Sequence, residues 1–157
     1  QDRGEKLYRR SLYSRIRKTV APPSMLLFDM PSREMCTVKR THTNTPLQAL
    51  ALMNEVTYVE AAKKFAERMM KAGGSAQERI AWGFSCATLR EASPEELEVL
   101  LAGFERRLAR YREDPKSAEQ LLSRGDSKVA DGADKVELAA LTTVVNVILN
   151  LDELINK

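Results

Sequence analysis

The stretch KVELAALTTVVNVIL, residues 135–149, decides the fold. Apolar side chains occur along it on nearly every side of a helical projection, whereas a surface helix confines them to one stripe. These side chains are Val136, Leu138, Leu141, Val144, Val145, Ile148 and Leu149. The stretch therefore predicts a central helix that is buried on most sides and closes a hydrophobic core.

Two segments upstream carry clear helix start signals. Ser93 and Pro94 supply a cap and a first-turn proline, and Glu96 stands at the third helical position. The apolar stripe that follows is formed by Leu97, Leu100, Leu101, Phe104 and Leu108. Ser75 with Glu78 forms a second capping-box pattern. Both segments are predicted to be amphipathic helices.

Two further helices are predicted in the first half of the chain. Asn44 or Thr45 is suited to cap a helix that begins at Pro46, where the missing N–H costs nothing. The residues that share a face of this helix are Leu47, Leu50 and Ala51. Residues 54–57 indicate a break, after which apolar residues recur at helical spacing until the two glycines at 73–74. This pattern is typical of a helical hairpin.

A short helix and a loop are predicted before the central helix. Asp114 and Pro115 end the preceding helix and begin another that runs to Leu122. Residues 123–134 contain two glycines and several charges of both signs. We expect a mobile loop over these residues.

The N-terminal quarter is less regular. The apolar residues of the stretch 7–20 recur every four positions, yet they also fall on one side of an alternating strand. We expect extended or mixed structure there. Residues 21–24 contain two consecutive prolines and are predicted to be non-helical. Residues 21–45 as a whole are predicted to be irregular, and a stretch of this length is often functional when it is ordered.

The predicted fold class is mainly α, a single helical-bundle domain of about five or six helices with an irregular, partly extended N-terminal segment. A chain of 157 residues suits one domain. Its 43% hydrophobic and 30% charged residues exclude disordered and collagen-like classes. Residues 1–45 form the irregular basic part and residues 46–157 the helical part. Because the chain starts at Gln1 and not at a methionine, we expect a piece of a longer or processed protein.

The basic excess lies at the N-terminus. Residues 1–40 contain ten Lys or Arg against four Asp or Glu, whereas residues 41–157 contain 15 against 18. The densest part comprises Arg9, Arg10, Arg15, Arg17 and Lys18. Such a stripe is one way to contact nucleic-acid phosphates. The net charge of only +3 instead favours a solvated or partner-facing element, which makes nucleic acid an unlikely partner.

No catalytic or metal-binding motif occurs in the sequence. The single histidine, His42, has threonines as its neighbours, and these are poor nucleophiles unless activated. One histidine and two cysteines 50 positions apart fall short of a four-ligand zinc site. Cys36 and Cys86 are expected to be buried free thiols, and the alternative is a disulfide between them. We therefore assign no catalytic residue, cofactor or metal, expect no membrane span, and favour a protein that is not an enzyme.

Hydrogen-bonding side chains are concentrated in residues 28–48, beside a helix start. They are Asp29, Arg33, Arg40, His42, Thr43, Asn44, Thr45 and Gln48. A helix start is a place where anions dock, which makes this loop a candidate binding motif. The alternative is a structural loop whose side chains satisfy its own backbone groups.

Several short motifs in a fixed order resemble a known family. They are RRSLY at 9–13, PPSM at 22–25, FDMP at 28–31, REMCTVKR at 33–40, TNTPLQAL at 43–50 with Asn54, and the ending at 141–153. This set resembles the C-terminal domain of unknown function, family 1553, of large cytochrome-c-associated proteins of Planctomycetes and Verrucomicrobia. The motifs cover residues 9–62 and 141–155, and the helices between them match only in character.

The resemblance implies an exported, multidomain protein, extracytoplasmic in location, whose other regions often include a haem-attachment domain. Any haem would be held by those regions, since this chain contains no haem motif. The chain has Arg40-Thr41-His42-Thr43 where the family pattern has Arg-Glu-Arg-Thr, which argues against an essential charge there. The family has no established reaction, so the resemblance implies a context and no mechanism.

Two functions from different classes follow from these observations. The first is a non-catalytic interaction or scaffolding domain that docks on other domains of the same polypeptide, or on a protein partner, through the basic segment and residues 28–48. The alternative is that residues 28–48 contribute an active-site or ligand-binding loop to an enzyme completed by neighbouring domains. The polar groups of that site would be Asp29, Arg33, Arg40 and His42.

Overall fold

A computed structural model of the chain describes residues 8, 11–13, 16, 21–32, 34–39, 41–130 and 132–156. These residues form eight α-helices and one short 3-10 turn, Ser11–Tyr13, and contain no β-strand. The helices are α1 (Pro23–Leu27), α2 (Pro46–Asn54), α3 (Val56–Lys71), α4 (Ala76–Thr88), α5 (Pro94–Glu113), α6 (Pro115–Leu122), α7 (Lys135–Ile148) and α8 (Asp152–Ile155). The predicted mainly α fold is confirmed.

The central helix of the bundle is α7. Eight of its 14 residues are buried, including the five consecutive residues 138–142. It packs mainly against α3, α5 and α6, and to a smaller extent against α4. Ala139 and Ala140 are fully buried, and their small side chains let the neighbouring helices approach closely. The prediction of a core-closing helix over this stretch is confirmed.

The helix boundaries follow the start and stop signals in the sequence. The Ser75 and Ser93 hydroxyl oxygens accept from the backbone N–H three residues later, and a glutamate at that position closes each capping box. Glu55 lies between α2 and α3, where a break was predicted. Gly73, just beyond α3, has a φ of +78°, a left-handed conformation that glycine adopts without strain.

A charged cluster on α3, which we call the polar clamp, holds the loop that precedes α7. The clamp consists of Glu60, Lys63, Lys64 and Glu67. Lys63 is only 1% exposed. Its Nζ donates to the carbonyl oxygens of Leu122 at 3.0 Å, Arg124 at 3.2 Å and Ser127 at 2.7 Å. Since Leu122 ends α6, the ammonium group also satisfies the exposed carbonyl end of that helix.

The other clamp residues bind the next part of the same loop. Glu60 accepts from the backbone N–H of Ser127 at 2.6 Å, and Glu67 accepts from that of Ala130 at 3.3 Å. Lys64 donates to the carbonyl oxygen of Lys128 at 2.6 Å. The segment 122–130 is thus tied to α3 at several backbone positions. We predicted a mobile loop over 123–134 and did not predict these contacts with α3. The side chains that make them lie about 60 positions earlier in the chain.

Two expectations about the helices need correction. Pro23 begins α1, although residues 21–24 were predicted to be non-helical, because a proline at the first helical position needs no N–H donor. The segment 21–45 is therefore not irregular throughout. The helix count exceeds five or six because α1 and α8 are single turns of five and four residues. Of the stretch 7–20, predicted to be extended or mixed, the structure describes residues 8, 11–13 and 16, of which Ser11–Tyr13 form a 3-10 turn, and the remainder lies outside the described residues.

The two cysteines differ from their prediction in one respect. Cys36 and Cys86 are free, as expected, but both are exposed rather than buried. Cys36 lies in the loop before α2, and Cys86 lies on the outer side of α4. Neither thiol therefore contributes to the core. Among the helices of the described residues, none is long and apolar enough to cross a membrane.

Candidate interaction surface

The loop between α1 and α2 is closed by a pair of polar side chains. Asp29 has a φ of +58°, and its carboxylate accepts from the Thr43 backbone N–H at 2.8 Å and from the Thr43 hydroxyl at 2.8 Å. The positions are 14 residues apart in the chain. Asp29 therefore holds the two ends of the loop together. Aspartate suits this position because it adopts a left-handed backbone more readily than most other residues.

Gln48 connects this pair to α1 and to the start of α2. It is the one buried residue of α2, at 1% exposed. Its Nε2 donates to the Leu27 carbonyl at 2.8 Å and to the Thr43 hydroxyl at 3.2 Å. Its Oε1 accepts from the backbone N–H of Thr45 at 2.9 Å, which completes a capping box. Both amide hydrogens and the carbonyl oxygen of this buried side chain are thus satisfied. We call Asp29, Thr43, Thr45 and Gln48 the polar junction.

The C-terminal segment is tied to the same region. Asn44 donates to the Asp152 carboxylate of α8 at 2.8 Å, across 108 positions of sequence. Asn150 donates to the carbonyl oxygen of Ala49 at 3.3 Å. The start of α2 is therefore fixed both to α1 and to the C-terminal segment. The contact with the C-terminal segment was not predicted from the sequence.

Arg90 fastens α8 to the ends of α4 and α5. Its guanidinium pairs with both oxygens of Glu96, at 2.6 Å and 2.8 Å, and with both oxygens of Glu153, at 2.7 Å and 3.0 Å. The same group lies 4.7 Å from the centroid of the Phe84 ring. A guanidinium has the planar donor geometry that such double pairing requires. Through Glu153, Arg90 holds the short helix whose Asp152 binds Asn44.

The charges of this cluster shift the proton affinity of Glu96. Hydrogen bonds from Arg90 and from the Ser93 backbone N–H lower the pKa of Glu96 to about 2, from an ordinary value of 4.5. The hydrogen bonds to Glu96 and Glu153 raise the pKa of Arg90. The carboxylate of Glu96 thus stays ionised in the folded chain well below the pH at which an unfolded glutamate takes up its proton.

We expect the stability difference between the wild-type chain and Glu96→Gln to be full above pH 4.5 and to disappear as the pH falls through about 2. Between pH 4.5 and about 2, Glu96 takes up a proton in the unfolded chain but stays ionised in the folded chain. The stability that Glu96 contributes to the folded state is therefore lost over this pH range. Thermal melting at steps from pH 7 to pH 2 measures the difference. Glu98→Gln, an exposed position of the same helix, is the matched control. A difference that does not change with pH would contradict the assignment.

The remaining residues predicted for the site have different positions. His42 is exposed, and Asn44 and Thr45 take part in the contacts just described. Arg33 and Arg40 lie outside the described residues, as do Arg9, Arg10, Arg15, Arg17 and Lys18 of the basic segment. Within the described part of residues 28–48, the structure thus brings together Asp29, Thr43, Thr45 and Gln48, with His42 apart from them at the surface.

An exposed apolar face lies on the outside of α1 and α2. Leu26 is 54% exposed, Leu47 63%, Leu50 58% and Met53 47%. Residues three positions apart share one side of a helix, so Leu47, Leu50 and Met53 form a continuous row along α2. The neighbouring helix α1 packs against α2, and Leu26 is an exposed apolar side chain of α1. The sequence placed Leu47 and Leu50 on one face, but it did not show that this face points away from the core.

A model of the family described as a protein of unknown function (DUF1553) matches residues 1–104 of the chain. The match covers about two thirds of the sequence, including the polar junction and the apolar face. The chain belongs to this family. No curated protein and no solved structure matches the DUF1553 chain.

The matched region of this DUF1553 domain ends within α5. Its core residues Ala62, Ala66 and Phe84 belong to the same buried cluster as Leu141 and Val145 of α7. The helices that follow the match therefore complete the hydrophobic core. The described residues contain no group of three or more histidine, cysteine, aspartate or glutamate side chains placed to hold a metal ion.

Proposed function

We propose that this DUF1553 domain is a non-catalytic interaction or scaffolding module, which docks on other domains of its own polypeptide through the apolar face of α1 and α2. The observation that carries the proposal is the inverted amphipathic character of α2. This helix buries Gln48 and exposes Leu47, Leu50 and Met53. In a free-standing domain the opposite orientation is expected, because burial of apolar side chains drives folding.

The energy available at this face is enough for docking within one polypeptide. Fully burying a leucine or methionine side chain contributes about 1.5 to 3 kcal/mol. Four such side chains make a small patch, whereas a stable contact between separate proteins needs about 800 Å² from each partner. A tethered partner needs less contact area, because its effective concentration is high. The size of the patch therefore favours another domain of the same chain.

The polar junction supports a preformed docking surface. Gln48 and Thr43 hold α2 against α1, and Asn44 and Asn150 hold its first turn against the C-terminal segment. A surface that is already ordered loses little conformational entropy when a partner binds. These contacts hold α2, and with it the apolar row, in a fixed position.

The family resemblance adds the wider context of the proposal. We place the domain at the C-terminal end of a secreted or periplasmic multidomain protein, with any haem held by other domains. In that context the partner of the apolar face is a neighbouring domain of the same protein. The basic segment 9–18 is a second element that we propose for the same contact.

The test is the double variant Leu47→Ser/Leu50→Ser, made both in the 157-residue chain and in the longer polypeptide. In the chain alone the substitutions change the free energy of unfolding by less than about 1 kcal/mol, because both side chains are already exposed. In the longer polypeptide they separate the domains, which small-angle X-ray scattering detects as an increase in the radius of gyration.

The matched control is Leu89→Ser/Val99→Ser, because these side chains are 84% and 69% exposed and lie outside α1 and α2, Leu89 just after α4 and Val99 on α5. The control leaves the radius of gyration of the longer polypeptide unchanged. The proposal fails if the variant at 47 and 50 behaves like the control there. It also fails if the same variant unfolds the chain alone, because the leucines would then serve the fold.

A further inference from the structure

A cationic aromatic patch lies on α3 and α4, apart from the apolar face. Phe65 and Trp82 are half-buried, with ring centroids 6.2 Å apart, and both pack against the core. The guanidinium carbon of Arg68 lies 5.5 Å from the centroid of Phe65 and 5.8 Å from that of Trp82. Arg68 is thus held over two aromatic rings by cation–π attraction. We call these three residues the arginine patch.

The charge of Arg68 is not neutralised within the described part of the chain. Arg68 is exposed, and none of the ion pairs of the described residues includes it. The adjacent Glu67 pairs with Lys64 at 2.9 Å, and Glu78 of α4 accepts from the backbone N–H of Ser75 at 2.7 Å. The exposed Lys71, one turn further along α3, adds a second positive charge. The nearby carboxylates of these two helices are therefore already engaged.

We propose that the arginine patch binds a carboxylate side chain of an acidic peptide segment. A guanidinium presents parallel N–H donors that match the two oxygens of a carboxylate. Its stacking on two rings restricts its rotamers before the partner arrives, so less entropy is lost on binding. Arginine and tryptophan are also the residues enriched where binding energy is concentrated in protein interfaces.

The local charge favours a peptide carboxylate over other anionic partners. Nucleic-acid binding draws on several phosphate contacts at once, whereas Arg68 and Lys71 supply two cations. Stacking of a base or a sugar needs an open aromatic face, and in this patch Arg68 covers Phe65 and Trp82. The complementary partner is therefore a glutamate or aspartate side chain. This proposal does not depend on docking through α1 and α2.

Trp82 makes the test direct, because it is the only tryptophan of the chain. We expect a hexaglutamate peptide, added to the 157-residue chain at low ionic strength, to change the Trp82 fluorescence in a saturable manner. A hexaglutamine peptide gives no such change. Added salt weakens the response, because an exposed ion pair is screened.

Two variants assign the response to the guanidinium. Arg68→Gln weakens the peptide affinity at least about tenfold, and Arg68→Lys gives an intermediate affinity because it keeps the charge and loses the planar donor pair. Arg106→Gln, an exposed position on α5, binds like the wild type. Circular dichroism checks that each variant is folded.

Three results would overturn the proposal. One is the absence of a saturable response in the wild type. Another is an equal loss of affinity in Arg68→Gln and Arg106→Gln, which would show only a general effect of net charge. The third is an equal response to inorganic phosphate at the same concentration of charge, which would show that the patch does not select a peptide carboxylate.

Discussion

Replacing Lys63 with methionine is expected to lower the free energy of unfolding by about 3 kcal/mol and to release residues 122–130 from α3. Methionine fills a similar volume but leaves the carbonyl oxygens of Leu122, Arg124 and Ser127 without their shared donor. It also removes a positive charge near the Glu60 carboxylate, whose pKa is lowered chiefly by hydrogen bonds from Ser127 and Tyr8 and further by Lys63. Urea unfolding measures the loss, and amide hydrogen exchange measures the release of the loop.

The matched control for this variant is Lys64→Met on the same helix. The Lys64 side chain is 45% exposed, so its bonds to Glu67 and Lys128 compete with water and contribute less. We expect a change below about 1 kcal/mol. Equal effects of the two substitutions, or unchanged exchange of the 122–130 amides in Lys63→Met, would contradict the role given to Lys63.

Replacing Leu141 with alanine in α7 is expected to lower the free energy of unfolding by about 3 kcal/mol. Leu141 is fully buried in the cluster that α7 shares with α3 and α5, and the truncation leaves a cavity that rigid helices do not fill. For a chain of this size the change corresponds to a fall of about 10 °C in Tm. Calorimetry or circular dichroism measures it.

Leu89→Ala is the control for the core substitution, because Leu89 is 84% exposed. Its loss is expected to change stability by less than about 0.5 kcal/mol. If Leu141→Ala melted at the wild-type temperature, α7 would not be the helix that closes the core.

The sequence predicted those parts of the fold that are determined by residues close together in the chain. Ser93 with Pro94 and Glu96 marks a helix start because the three side chains act on backbone groups within one turn. The buried helix at 135–148 was predicted because its apolar residues occur on all sides, which leaves no face for solvent. The same applies to the break at Glu55, which lies between α2 and α3.

The polar clamp was not predicted, because the groups that it binds belong to the backbone and do not depend on the residue type. Lys63 and Glu60 bind backbone groups of the loop near Ser127, and any residue type supplies such groups. The periodicity of α3 correctly placed Val59 and Ala62 in the core. It assigned no burial to the charged positions between them, which is normally correct for lysine and glutamate.

The candidate site was predicted only in part for a related reason. The concentration of polar residues around Thr43 and Gln48 indicated a binding motif or a structural loop, but it could not indicate their mutual hydrogen bonds, which depend on a left-handed turn at Asp29. The spacing of Leu47 and Leu50 shows that they share a side of the helix. Spacing alone does not show whether that side meets the core, and here the buried side belongs to Gln48.

The most direct test of the proposed docking is hydroxyl-radical footprinting of Met53, in the 157-residue chain and in the longer polypeptide proposed for it. Met53 lies in the apolar row of α2 and is 47% exposed in the chain, so it is readily oxidised there. We expect its oxidation rate to fall several-fold in the longer polypeptide, while the rate at Leu89, which is 84% exposed and lies outside the apolar row, stays the same. Equal oxidation rates of Met53 in both proteins would show that no other domain covers this face and would contradict the account.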